Sequence, residues 1–344
     1  MTDKQPLLQV RNLTHHFKTN PPLVDLLLRR APRFIKVLNG IDLHLERGET
    51  LGIVGESGCG KSTLARCLVG LYPPQGGEIL FDNQNVSNKT RAEQRDYNRR
   101  VQMMFQDPYS SLNPRMSVGQ VLHEALSVHK MRPEAEIQNR INELLDLVSL
   151  PRDAAGKLPH EFSGGQRQRI AIARALSVEP EVLIADELVS ALDVSVQAQV
   201  VNLLLDLQKH LGLTILFVAH DLRLVRHVSH RVAVIYLGSI VEIGDSDNVF
   251  SSPVHPYSRA LLNAAPSIDP DHKNSMPPLK GELPSPLNIP PGCAFHGRCP
   301  HATEICRQDK PLLKKREGHG EIACHHTESL MATLAEAGEQ APQD

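Results

Sequence analysis

The sequence contains no tryptophan, and its aromatic residues make up only 4% of 344 positions. So few rings argue against a surface built to stack nucleobases. It also lacks a surplus of positive charge. Thirty-seven Lys and Arg stand against 39 Asp and Glu, a formal net charge of -2, which offers no general attraction to a polyanion. No apolar run approaches the roughly 20 residues that a membrane-crossing helix needs. The opening residues, Met-Thr-Asp-Lys-Gln-Pro, lack the basic-then-apolar pattern of a secretory signal. The expectation is a soluble, cytoplasmic chain. Six cysteines in that compartment argue against a disulfide framework and for metal chemistry. The length predicts two or three units with a sizeable core.

What is present centres on residues 55–62, Gly-Glu-Ser-Gly-Cys-Gly-Lys-Ser, which match the phosphate-cradle pattern GxxxxGK followed by Ser or Thr. An apolar run, Thr50 to Val54, precedes it as a buried strand, and Thr63 onward reads as a helix. Gly55, Gly58 and Gly60 let the backbone curl so that its N–H groups point inward at phosphate oxygens. The helix behind them turns its positive end to the same anion. Glu56, Ser57, Cys59 and Thr63 complete the cradle. Lys61 is placed to reach the outer phosphates, and the Ser62 hydroxyl to ligate Mg²⁺.

The remaining pattern alternates strands with helices. Residues 8–17 read as an edge strand, followed by a basic, Pro-broken loop at 18–36. Strands are predicted at 37–45, 78–82, 101–105, 182–185, 214–218, 231–236 and 240–243. Residues 117–150 carry a helical period, and the helical insert spans about 107–178. Apolar strands alternating with helices imply a mainly parallel sheet covered on both faces.

Two carboxylates, Asp186 and Glu187, end a buried strand. Asp186 is the expected Mg²⁺ partner, and Glu187 is placed to polarise an attacking water. His220 ends another core strand, where parallel sheets carry functional side chains, and is placed to contact the outermost phosphate. Ser163, Gly164, Gly165 and Gln166 open a helix and form a second anion site. Two phosphate devices far apart in one chain suggest two chains head to tail, each completing the other's site.

The phosphate loop, Gln106, Ser163–Gln166, Asp186-Glu187, Ser190–Asp193 and His220 resemble the motif set of an ABC-transporter ATPase subunit, in order, over roughly residues 6–250. The resemblance implies a P-loop NTPase core of α/β class with an N-terminal antiparallel β subdomain and a helical subdomain. It implies two ATP molecules held between two ATPase subunits. It places Gln106 at the Mg²⁺ site and makes it the coupling residue to a membrane partner, and it sets Phe17, or His16 beside it, against adenine. One departure stands out: Leu188 occupies the position after the acidic pair, where the family usually has Pro. Because Pro fixes φ, Leu188 is expected to loosen this turn.

After Pro253 the composition changes. Prolines crowd the stretch to Pro311, and a small module with little regular structure is expected over 253–327, ahead of a frayed or flexible tail at 328–344. His255-Pro-Tyr-Ser-Arg-Ala-Leu-Leu resembles the segment that marks the oligopeptide, dipeptide and nickel importers. Cys293, Cys299, Cys306 and Cys324 are spaced C-x5-C-x6-C-x17-C, longer than the pairs zinc favours. Four thiols suit a 4Fe–4S cluster, the resemblance points the same way, and zinc is the alternative. Cys59 and Cys67 need no metal.

The resemblance implies an ATPase powering import of di- and oligopeptides, peripheral on the cytoplasmic side of the plasma membrane. Its partners would be a second ATPase subunit, two permeases and an external solute-binding protein, with no nucleic acid. The rivals are an importer of nickel or another small solute in the same branch, a soluble ABC ATPase of DNA repair or translation, and a P-loop kinase. The second phosphate device disfavours the kinase.

Overall fold

A computed structural model describes residues 5–19, 33–87, 89–105, 112–264 and 283–339. Gln106 and most of the basic loop lie outside the described residues.

Strand β1 (Leu8–Lys18) buries Leu8, Val10, Leu13 and His15 on one face, and β2 (Phe34–Leu45) buries Leu38, Ile41, Leu43 and Leu45. One buried face is the signature of an antiparallel sheet with a wet side. Strand β3 (Thr50–Val54) is instead buried at every position, and the loop after it runs into α1 (Lys61–Leu68). Strands β4 (Gly76–Phe81) and β5 (Gln84–Asn85) complete an antiparallel sheet of order β2-β1-β4-β5. This corrects the expectation for residues 8–17. The strand is interior, paired with β2 on one side and β4 on the other. A one-sided apolar alternation reads alike for an edge and an inner strand, because it records the face and not the neighbours.

Helix α2 (Arg91–Arg100) starts at a reciprocal Thr90–Glu93 capping box and leads into β6 (Val101–Met104). Helices α3 (Val118–Val128), α4 (Glu134–Leu147) and α5 (Gly164–Leu176) form the helical subdomain. Val118, Leu122, Leu126, Ile137, Ile141 and Leu144 are all buried at helical spacing. The chain then alternates: β7 (Val182–Asp186), α6 (Val194–Leu211), β8 (Thr214–Val218), α7 (Leu222–Val228), β9 (Arg231–Tyr236) and β10 (Ser239–Asp245).

The C-terminal part is more regular and less separate than composition suggests. It holds α8 (Ser246–Ser251), α9 (Pro256–Asn263), α10 (Glu304–Gln308), β11 (Lys314–Arg316), β12 (Gly320–Ile322) and α11 (Thr327–Glu339). The β11–β12 hairpin joins the main sheet, whose order is β11-β12-β10-β9-β3-β8-β7-β6. Five central strands, β9 to β6, run parallel, and the other three are antiparallel additions. Helix α11 is also anchored, since Leu330 is buried with Val254 and Ile322. Among the described residues no helix is long and apolar enough to cross a membrane.

Candidate functional site

Strands β3, β8 and β7 are neighbours, and their register sets Ile53 beside Val218 and Val218 beside Asp186. Their carboxyl ends therefore lie side by side. The first releases the glycine loop, the second leads to His220, and the third ends in Asp186 and Glu187. In an open parallel sheet this is where ligands gather.

The loop is shaped by its glycines. Gly55 adopts φ +154°, and a Cβ there would sit 2.3 Å from the Ile235 carbonyl oxygen, so no other residue fits. Lys61 is 4% exposed. Its Nζ donates to the carbonyls of Gly55 at 2.7 Å and Glu56 at 3.1 Å. Among the described residues no carboxylate forms an ion pair with it. With the Cys59 Sγ at 3.9 Å as its remaining partner, this buried ammonium is held by neutral groups, and an anion would pair its charge. The donor set therefore fits a phosphate.

Ser62, one residue on, donates its hydroxyl to Asp186 Oδ1 at 2.9 Å. Burial pushes the Asp186 carboxyl above its usual range, and the Ser62 hydrogen bond opposes that push. A hydroxyl and a buried carboxylate in contact supply hard oxygen ligands of the kind Mg²⁺ takes.

Glu187 follows with φ +51°, a left-handed conformation that costs a residue bearing a Cβ. The turn is held by its N–H donating to Val218 O at 2.9 Å, and by the Ser190 N–H and hydroxyl, which both donate to Glu187 O. The Glu187 Oε1 lies 2.5 Å from His220 Nε2. Leu188, expected to loosen this turn, is 2% exposed and Val189 3%, so apolar burial anchors the segment.

Ser163 caps α5 in a reciprocal box. Its N–H donates to Gln166 Oε1 at 3.0 Å, and its hydroxyl accepts from Gln166 N–H at 3.4 Å. Gly165 is required by packing, because a Cβ would meet Val196 Cγ1 at 2.4 Å. The described bonds of Ser163 lie within its own helix. Phe17 is half-buried and packs edge-on against His15 at 4.7 Å and Tyr72 at 5.3 Å. Tyr72, which stacks on His15, was not signalled by the sequence.

The four C-terminal cysteines are free thiols that lie near enough to influence one another's pKa. Burial, reinforced by the neighbouring thiols, raises Cys293 and Cys324 above the ordinary thiol range and lifts Cys299 to about 11. Cys293 N–H donates to Cys306 O at 2.8 Å, and Cys306 Sγ lies 3.4 Å from His326 Nε2. Yet among the described residues no group of three or more His, Cys, Asp or Glu is arranged to hold a metal ion. The expected metal centre is therefore not preformed among the described residues. Cys59 and Cys67 are free and buried, and burial pushes Cys67 to about 12.

Sequence reading missed one further set of contacts. Glu56, inside the loop, donates its backbone N–H to Tyr257 Oη at 2.8 Å. Its carboxylate takes both Nη atoms of Arg298, at 2.8 and 3.0 Å. The partners are 201 and 242 residues away, and no local pattern announces them.

Comparison with known proteins agrees with this geometry. Residues 38–190 match the family model described as ABC transporter, and residues 241–306 match that for the oligopeptide/dipeptide transporter C-terminal region. A putative peptide import ATP-binding protein of Brucella ovis is 48% identical, covering 91% of this chain and 96% of the relative. The putative oligopeptide transport ATP-binding protein YkfD of Bacillus subtilis is 48% identical, covering 93% and 95%. The oligopeptide transport ATP-binding protein AppF of the same organism is 46% identical, covering 94% and 98%. Among solved structures, cbiO1 of Clostridium perfringens, part of the transporter complex cbiONQ, is similar at TM-score 0.61 and 31% identity, covering 72% of this chain and 91% of that one. The cassette MJ0796, a dimer bound to ADP and phosphate, is similar at TM-score 0.60 and 27% identity, covering 70% and 98%.

Proposed function

The chain belongs to the ATP-binding, ATP-hydrolysing subunits of ABC transporters, and we propose that it powers the import of di- and oligopeptides. The observation that carries the peptide reading is the pairing of an ATPase core with the oligopeptide/dipeptide C-terminal region, in a chain aligned over 91–93% of its length with relatives named for peptide import or oligopeptide transport. A nickel or other small-solute importer of the same branch is the second reading.

Residues 55–63 bind the nucleotide's phosphates, with Lys61 giving up its carbonyl partners for phosphate oxygens. Ser62 and Asp186 hold Mg²⁺, and Gln106 is assigned to the same ion. Bound Mg²⁺ screens the charge of the phosphates. Glu187 orients water, and His220, against its carboxylate, fixes its rotamer and contacts the outermost phosphate. Ser163 to Gln166 serve the nucleotide of a second ATPase subunit, which calls for Ser163 to exchange its capping bond for the ligand. Phe17, with Tyr72 behind it, offers a ring face to the base. Two permeases and an external solute-binding protein complete the assembly, with this chain peripheral on the cytoplasmic face of the membrane.

We assign the four cysteines to a 4Fe–4S cluster. The support is four thiols near enough to raise one another's pKa, a ligand set of the kind such a cluster takes. Its role is structural, tying together a segment with little core of its own.

The test is uptake of labelled dipeptides and longer peptides, with labelled nickel in parallel, in cells lacking this subunit. Peptide uptake lost on deletion and restored by wild type, but not by Glu187→Gln, supports the assignment. Intact peptide uptake with lost nickel uptake replaces it by the second reading.

A further inference from the structure

We propose that Arg298 is a positioning residue for ATP binding. It neutralises and anchors Glu56, and so makes the phosphate loop depend on the C-terminal thiol segment.

Glu56 is an awkward residue for an anion cradle. Its carboxylate adds a negative charge to a loop that must receive a polyphosphate, and the repulsion of like charges at a few ångströms is worth about tenfold or more in affinity at the dielectric of a protein surface. The structure answers this with one cation. Arg298 meets the carboxylate in a bidentate fork, and its side chain is only 7% exposed. A fork of this kind fixes orientation as well as charge. The same guanidinium lies over the Tyr236 ring, 5.9 Å from its centroid.

All three polar elements of Glu56 are engaged. Its N–H goes to Tyr257, its carboxylate to Arg298, and its carbonyl receives Lys61 Nζ. Two of these partners come from beyond residue 253, and the third is the lysine that must turn to the phosphate. Holding Glu56 therefore holds the platform from which Lys61 leaves.

The anchor is itself tied down. Arg298 closes the short helical turn His296–Arg298, next to Cys299. Phe295, 1% exposed, precedes that turn and packs against Tyr236 at 5.2 Å and Tyr257 at 5.5 Å. The cysteine segment thus reaches the loop through one aromatic cluster and one ion pair.

The experiment is an ATP titration of the purified full chain by calorimetry, with steady-state hydrolysis alongside. Arg298→Ala is expected to weaken ATP binding, and to raise KM for ATP, about tenfold or more, while kcat changes far less. Adding Glu56→Gln to that variant removes the exposed charge, and is expected to bring Kd back to within about threefold of wild type. Arg298→Lys keeps the charge without the fork and is expected to lose clearly less affinity than Arg298→Ala, which gives the answer should Arg298→Ala fold poorly. Wild-type affinity in Arg298→Ala overturns the proposal. So does a loss that Glu56→Gln does not repair, or a loss in Arg298→Lys equal to that in Arg298→Ala, because either would reduce Arg298 to a staple for the segment.

Discussion

Glu187 Oε1 and His220 Nε2 lie 2.5 Å apart at the ends of two adjacent strands. The carboxylate belongs to a residue held at φ +51°, and the imidazole reaches it from a strand that also receives the Glu187 N–H at Val218 O. Backbone and side chain thus fix the same group from one neighbour. Glu187→Gln keeps this geometry and removes the anionic oxygen that would draw a proton from water. Hydrolysis is expected to fall about 100-fold or more, with ATP binding retained and the ATP-bound dimer accumulating. Size-exclusion chromatography with and without ATP, beside a phosphate-release assay, checks both. Unchanged turnover removes Glu187 from the water-positioning role.

Leu188 gives a second test. The side chain is buried directly behind the strained Glu187. Leu188→Ala is expected to cost about 2–5 kcal/mol, the range for a buried leucine, and to lower turnover by freeing Glu187. Denaturant unfolding and the hydrolysis assay read the two effects. A loss of turnover at full stability would mean the side chain acts other than as an anchor.

The cysteine group makes an inorganic prediction. Chain purified without oxygen is expected to be brown and to carry about four iron atoms and four sulfides. Cys299→Ser is expected to lose the colour and the iron. Stoichiometric zinc with iron at background assigns the thiols to zinc instead.

His255 predicts acid sensitivity. It is fully buried at the start of α9, its Nδ1 accepts the Tyr257 N–H at 3.1 Å, and burial drives its pKa down to about 3. The unfolded chain protonates this ring near 6.5 while the folded chain does not. The unfolded state therefore binds more protons in that window, and stability falls as pH drops below 6.5. The loss is about 1.4 kcal/mol per pH unit, or about 2 kcal/mol by pH 5. Glu242, whose carboxylate accepts the N–H groups of Val254 and His255, has its pKa raised by burial and acts in the opposite sense. Comparison with His255→Asn, which keeps a capping acceptor, removes that common part. The variant is expected to show a shallower decline between pH 7 and 5 in denaturant unfolding. Parallel slopes would mean that His255 takes up its proton while folded.

The nucleotide loop was legible because its chemistry is local. Eight consecutive residues, a buried strand before and a helix after, suffice to specify the cradle around Lys61. Asp186, Glu187 and His220 were legible singly, each at the end of an apolar run, though their contacts depend on strand order, which no run encodes. The interior place of residues 8–17 was hidden for the same reason. The β11–β12 hairpin was hidden more deeply. Strands of three residues containing Lys, Arg, Gly and Glu carry no apolar alternation, and they exist because β10 offers them a row of hydrogen-bonding groups. Arg298 was least visible of all, since its meaning lies in a carboxylate 242 residues away.

That hairpin has a practical corollary. β12 pairs with β10 at Glu242 and Ile243, and so covers a flank that would otherwise lie open. A fragment ending at residue 252 would keep every motif of the nucleotide site yet leave β10 without its partner at Glu242 and Ile243, an open strand margin of the kind that recruits other copies. The tail thus also shields this strand margin from edge-to-edge pairing.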